Sequence, residues 1–124
     1  MTNPPHLQYT DQHEWLHIEG DLALVGITAF AADALGDIVY VDLPEVGATV
    51  TAGEACGEIE STKSVSELYA PVDGEVTEVN TGVADDPALI NTDPFGAGWI
   101  LRIRISGTPR LLDAAGYNDL VSRG

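Results

Sequence analysis

Short runs of strand-forming residues, each cut off by Gly, Pro or Asp, constrain this chain more tightly than any other feature. His13 to Glu19 and Leu22 to Ile27 flank Gly20-Asp21, the signal of a two-residue hairpin turn. Asp37 to Leu43 (DIVYVDL) alternates apolar and acidic residues, as a half-buried strand does, until Pro44 and Gly47 break it. Short strands are predicted around Thr49 to Val50, Gly57 to Glu60, Val65 to Ala70 and Gly74 to Val79, and Trp99 to Ile105 (WILRIRI) reads as a late one. Helix signals are fewer. Thr28 can cap a short helix from Ala29 to Leu35 with Gly36 as its stop. Asp86-Pro87 reads as a helix start, and Thr108-Pro109 opens a C-terminal helix that Gly116 ends, with a further helical turn near Asp119. The fold expected is mainly β, with short flanking helices.

An internal echo adds to this. Pro44-Glu45-Val46-Gly47 leads into Thr49-Val50, and Pro71-Val72-Asp73-Gly74 leads into Glu75-Val76. Turns favour Pro and Gly, so the echo is weak as a repeat. It is placed symmetrically about Lys63, which fits two similar half-barrels meeting at a hairpin.

A chain of 124 residues suits a single domain, 1–124, with a core of its own. Twenty acidic residues against five basic ones give a net charge of -15, which argues against nucleic acid or an anionic membrane as partner. With 44% apolar residues the chain can still offset its entropy by burial. No apolar run approaches the ~20 residues of a membrane span. Met1 to Tyr9 carries neither a basic residue nor an apolar stretch, so neither a signal nor a transit peptide is expected there. One cysteine allows no internal disulfide, and Cys56 reads as a small buried hydrophobe rather than a reactive thiol. A reducing compartment, the cytoplasm, is the expected location.

Four of the basic residues are arginines; the fifth, Lys63, is the only lysine. Its surroundings, Gly57-Glu58-Ile59-Glu60-Ser61-Thr62-Lys63-Ser64-Val65-Ser66-Glu67-Leu68, place a small polar center between two strand-like flanks. Lys63 is therefore expected at an exposed hairpin tip, with Glu58, Glu60 and Glu67 near its base. Small neighbours leave such an amine open to a modifying enzyme. That enzyme must help remove a proton, because a lysine amine in water is charged at neutral pH. An ordinary solvated lysine would fit the same local residues.

Three other patterns lead away from this site. His13-Glu14-Trp15-Leu16-His17 has the letters of H-E-x-x-H, but that zinc site needs both histidines one helical turn apart. A strand here would put His13, Trp15 and His17 on one face and Glu14 on the other, and no metal site is expected. Gly57 through Lys63-Ser64 has the outline of a phosphate loop, yet Thr62 stands where Gly must precede the lysine, and Glu58 and Glu60 would repel phosphate. Asp85, Asp86 and Asp93 match no calcium-loop spacing. No nucleophile motif frames a serine. The chain looks like a non-catalytic protein whose chemistry comes from a cofactor and from partner enzymes.

Taken together, the motifs resemble the H protein of the glycine cleavage system. The likeness runs from about Tyr9 to Ile105: Tyr9-Thr10 with His13-Glu14-Trp15, Val25-Gly26-Ile27-Thr28, Ala34-Leu35-Gly36-Asp37-Ile38-Val39 and Leu43-Pro44-Glu45-Val46-Gly47. It continues through Glu60-Ser61-Thr62-Lys63-Ser64, Pro71-Val72-Asp73-Gly74-Glu75-Val76, Val79-Asn80, Leu89-Ile90-Asn91, Asp93-Pro94-Phe95 and Gly98-Trp99. This resemblance implies a barrel-sandwich hybrid of the lipoyl-carrier type, with a core of about 9–105 and a C-terminal helical segment of about 108–122. It implies lipoic acid in amide linkage to Lys63. It implies four kinds of partner: a pyridoxal-phosphate glycine decarboxylase, an aminomethyltransferase, a flavin dihydrolipoamide dehydrogenase and the enzymes that attach lipoate. The carrier would shuttle an aminomethyl group from the first to the second and electrons to the third, as a monomer. It implies too a surface cleft in which the loaded arm is shielded, with Glu14 the residue assigned to it here. Ala31-Ala32 departs from the Ala-Gln more usual in the family.

Other readings remain open at this point. The same arm could serve as a lipoyl donor or relay for other lipoate-dependent complexes. Biotin carriers resemble this fold but usually set Met on both sides of the lysine, where this chain has Thr62 and Ser64.

Overall fold

The structure, a computed structural model, describes residues 3–107 and 111–123. Its strands are β1 (Gln8–Tyr9), β2 (Glu14–Glu19), β3 (Leu22–Ile27), β4 (Ile38–Asp42), β5 (Thr49–Val50), β6 (Ala55–Ser61), β7 (Val65–Tyr69), β8 (Gly74–Val79) and β9 (Leu101–Ile105). Among the described residues the helices are α1 (Ala29–Leu35), α2 (Thr81–Asp85), α3 (Leu89–Thr92) and α4 (Ala114–Arg123). One sheet runs β1-β2-β3-β9-β8-β5 and a second runs β4-β6-β7, with every pair antiparallel. The protein is mainly β, as the strand pattern required.

Alternation decides which residues fill the space between the sheets. Leu16, Ala23, Val25, Val76, Leu101 and Ile103 point inward from the larger sheet, and Val41, Ile59 and Leu68 from the smaller. The larger sheet is covered on its other side too. There α4 brings Tyr117 against Leu7, Tyr9 and Trp15, a second buried cluster. Trp15 lies across Gly26, its partner in the β2–β3 register, and a Cβ on Gly26 would stand 2.6 Å from the indole. The indole N–H donates to the Pro94 carbonyl at 2.9 Å, so the ring is both packed and satisfied.

The two echoed turns meet in space. β5 pairs with β8 through Thr49↔Glu75 and Val50↔Gly74, and Gly47 N–H donates to the Val76 carbonyl at 2.7 Å. Each turn thus supplies the strand that pairs with the other's.

Several local expectations needed correction. His13 precedes β2 instead of belonging to it, and its backbone is left-handed at φ 67°. A bulge between Ile38 and Tyr40 turns both Val39 and Tyr40 outward, where strict alternation would have buried one. Asp86-Pro87 lies between two helices: α2 runs into it, capped at its start by the Asn80 side chain, and α3 begins two residues later. The C-terminal helix does not end at Gly116. Asp113 caps it, its carboxylate accepting the Gly116 N–H at 2.7 Å, so Gly116 sits in the first turn and the helix runs on to Arg123. Thr108-Pro109, read as the helix start, lies outside the described residues.

Candidate functional site

β6 and β7 form a hairpin with Thr62, Lys63 and Ser64 at its tip, all three exposed. Ser61 explains how this turn holds its shape. Its side chain is buried, and its Oγ accepts the N–H groups of Lys63 at 3.3 Å and Ser64 at 3.1 Å. The Ser61 N–H donates to the Ser64 carbonyl at 2.8 Å. One serine therefore satisfies backbone groups that the tight turn would leave unpaired.

The tip is also tied to its surroundings. Thr62 N–H donates to the Asp37 carbonyl at 3.0 Å. The segment Gly36–Ile38 that receives it is clamped by Asn91 of α3, whose amide donates to the Gly36 carbonyl and accepts the Ile38 N–H, each at 2.9 Å. Gly36 stops α1 with φ 84°, and the stem of Lys63 lies over it: a Cβ there would come 3.0 Å from Lys63 Cε. A glycine at this point both ends the helix and leaves room for the lysine.

Beside the tip opens a cleft of about 260 Å³. Phe30, Ala31, Ala34 and Leu35 of α1 line one wall, and Ser66 through Tyr69 of β7 line the other. Gln12, His13 and Glu14 close one end. The volume lies just below the usual range of small-molecule pockets, about 300–1,000 Å³, so it suits one small apolar group. Its boundaries abut the tip at both places: Leu35 precedes Gly36, and Ser66 follows Lys63 by three residues.

Glu14 is the buried carboxylate of this cleft, 2% exposed. Burial pushes its pKa up to about 7, against the pull of the Thr10 hydroxyl, which donates to Oε1 at 2.6 Å; nearby Asp11 pushes the same way as burial. His13, its neighbour, is held below the ordinary histidine range by burial, with Asp11 opposing. Its ring reaches Tyr117 rather than lining up with His17.

The remaining sequence candidates fall elsewhere. His13 to His17 is no helix, and no group of three or more His, Cys, Asp or Glu side chains able to hold a metal occurs among the described residues. Lys63 is followed by strand β7 and not by the helix a phosphate loop needs. The Asp93 carboxylate is engaged by the Ala97 N–H at 2.9 Å. Cys56 is half-buried against the main core, and burial, with Glu14 adding, pushes its thiol up to about 11, so that it carries little thiolate at neutral pH. No described helix is long and apolar enough to cross a membrane.

Asn91 and Ser61 carry the tip, yet sequence reasoning gave Asn91 no role of its own and counted Ser61 only among the small polar residues of the turn. Ser61 was legible as a turn residue. Asn91 lies 28 positions from Lys63 and offers no local signal.

Two sheets enclosing one core, with a lysine presented at a hairpin tip, define a barrel-sandwich carrier domain of the lipoyl type. The glycine cleavage H-protein family model matches residues 7–123. Glycine cleavage system H proteins of Thermobifida fusca and Beutenbergia cavernae are 60% and 57% identical over 121 and 122 residues, covering 97% and 98% of this chain and 96% and 98% of theirs. The crystal structure of a glycine cleavage system H protein from Mycobacterium marinum superposes with a TM-score of 0.92 at 50% identity, covering 97% of this chain and 99% of that one. The chain belongs to the glycine cleavage H-protein family, and its role is that of a carrier in the glycine cleavage system.

Proposed function

We propose that Lys63 bears lipoate as an amide and that the whole chain, 1–124, works as one non-catalytic, monomeric, cytoplasmic carrier domain. The observation that supports this best is the tip itself: the only lysine of the chain, exposed, on a turn fixed by Ser61 and tethered to Asp37. When bound, lipoate supplies a disulfide–dithiol couple that can hold an aminomethyl group and two electrons. The cleft fits such an arm, being lined largely by Ile27, Phe30, Ala31, Leu35, Ile59 and Leu68, with the Glu14 carboxylate at its end and Glu67 on the β7 wall.

The chain's own residues perform four tasks. Ser61 and Asp37 present the Lys63 amine to a lipoate-attaching enzyme. The walls of the cleft exclude water from whatever they enclose. Glu14, which titrates near neutrality, can turn to the ionised form when an ammonium group approaches, since an opposite charge offsets the burial that keeps it neutral. The fourth task is docking. The outer face of β4-β6-β7 carries Tyr40, Glu60 and Val65 in the row nearest the tip and Asp42, Glu58 and Glu67 in the next, all exposed. Two apolar side chains among four carboxylates suit a partner surface with an apolar center and a basic rim. We assign this face to the pyridoxal-phosphate glycine decarboxylase, the aminomethyltransferase and dihydrolipoamide dehydrogenase in turn.

Mass spectrometry of the protein purified from its own host tests the assignment. One lipoyl group on the peptide containing Lys63 is expected. An unmodified lysine, or biotin in its place, would overturn it.

A further inference from the structure

Tyr117 of α4 lies far in sequence from the hairpin tip and is fully buried. Its ring stacks on Tyr9, with centroids 4.8 Å apart and planes 13° apart. Its hydroxyl lies 2.7 Å from His13 Nδ1 and 2.8 Å from Thr28 Oγ1. These partners belong to two different parts of the cleft. His13 lines the end beside Glu14. Thr28 caps α1, the helix whose Phe30, Ala31, Ala34 and Leu35 make one wall. Phe30 itself stands 5.0 Å from the His13 ring, centroid to centroid.

The direction of the hydrogen bonds follows from counting donors. Thr28 Oγ1 accepts the Ala31 N–H at 3.2 Å, and the residue is wholly buried, so its own hydrogen needs an acceptor. The Tyr117 oxygen is the acceptor within reach. The Tyr117 O–H must then donate to His13 Nδ1, which leaves the ring proton on Nε2. The reverse direction would strand the Thr28 hydrogen in a buried site. Burial lowers the pKa of His13, in keeping with a neutral ring, although Asp11 acts against it. The left-handed backbone of His13 is held on both sides, its N–H donating to the Thr10 carbonyl at 3.2 Å and its carbonyl accepting the Thr28 N–H at 3.0 Å. No partner for Nε2 occurs among the described residues.

We propose that Tyr117 is a positioning residue for the cleft: its hydroxyl couples the α1 wall, through Thr28, to His13 and fixes His13 as the Nε2–H tautomer. The C-terminal helix thereby sets the shape of the site and the donor that the site presents. This rests on the cleft receiving the arm of Lys63, as proposed above.

Long-range proton–nitrogen correlation spectra of the unlipoylated chain read the tautomer directly. Nε2–H is expected in the wild type, with that preference lost in Tyr117→Phe, which keeps the stacked ring; Thr28→Ser, which keeps a hydroxyl, should match the wild type. Nδ1–H in the wild type overturns the proposal whether or not any variant folds. The second readout uses lipoylated protein charged with an aminomethyl group by the decarboxylase. Water releases formaldehyde and ammonia from it and restores the thiol. Release should be about fivefold faster in Tyr117→Phe, the factor contributed by one hydrogen bond of ordinary net worth. Equal release in variant and wild type, with both slower than aminomethyl dihydrolipoamide free in solution, overturns the proposal. Wild-type release as fast as the free compound instead removes the shielding role of the cleft, and the functional half of this proposal with it.

Discussion

Replacing Glu14 with Gln should stabilise this protein, and by an amount that depends on pH. Glu14 is 2% exposed, and burial raises its pKa from 4.5 to about 7. Between those two values the folded chain holds a proton that the unfolded chain has lost. Stability therefore falls as pH rises through that window; the penalty is complete above about 7 and absent below about 4.5. At about 1.4 kcal/mol per pH unit, the gap between 4.5 and 7 amounts to roughly 3 kcal/mol. Glutamine keeps the shape and an acceptor for the Thr10 hydroxyl but cannot ionise. Urea unfolding of both proteins at pH 5, 6, 7 and 8 measures the difference. At pH 5 the variant should lead the wild type by less than about 1 kcal/mol, and at pH 8 by about 3 kcal/mol. Curves that stay parallel across that range would refute the reasoning, for then the Glu14 carboxylate would be as well solvated folded as unfolded.

The tip and the charged surface each carry a further expectation. Ser61→Ala removes the acceptor of the Lys63 and Ser64 N–H groups and should cost about 1 kcal/mol, lowering the melting temperature by about 4 °C. It should also slow acylation by a lipoate-attaching enzyme, whereas Ser64→Ala, whose hydroxyl makes no hydrogen bond among the described residues, should leave both unchanged. Salt shortens the Debye length from ~10 Å at 0.1 M to ~3 Å at 1 M, so the apparent KM of the decarboxylase for this carrier should rise with kcat changed less. A KM flat across that range would mean that Tyr40 and Val65 dominate docking and that the charge of -15 serves solubility.

Much of this architecture was legible because strands announce themselves locally. Gly20-Asp21 between two apolar runs forms the turn it signals, and Thr28 and Gly36 bound α1 as their chemistry requires. Lys63 at an exposed tip followed from small polar residues between strand flanks. Signals failed where a short element rests on tertiary contacts. α2 has Thr81 and Gly82 in its first turn, both poor helix formers, and only the Asn80 cap marked it. Gly116 was read as a helix stop because the cap that makes it a first-turn residue, Asp113, was overlooked. The cleft could not be read at all. Its lining comes from segments more than fifty positions apart, Gln12 to Glu14 and Ser66 to Tyr69, and only the fold brings them together. Glu14 was assigned to it through the family resemblance; a glutamate in an apparent strand carries no sign that it is buried.

The most direct test of the central claim is a glycine cleavage assay reconstituted from the decarboxylase, the aminomethyltransferase and dihydrolipoamide dehydrogenase, with Lys63→Arg supplied as carrier after exposure to the lipoate-attaching enzyme. Arginine keeps the charge and much of the stem but offers no amine to acylate. The account predicts a folded protein with no added lipoyl mass and no turnover, beside a wild type that gains one lipoyl group and sustains the cycle. Turnover with the arginine variant would contradict it.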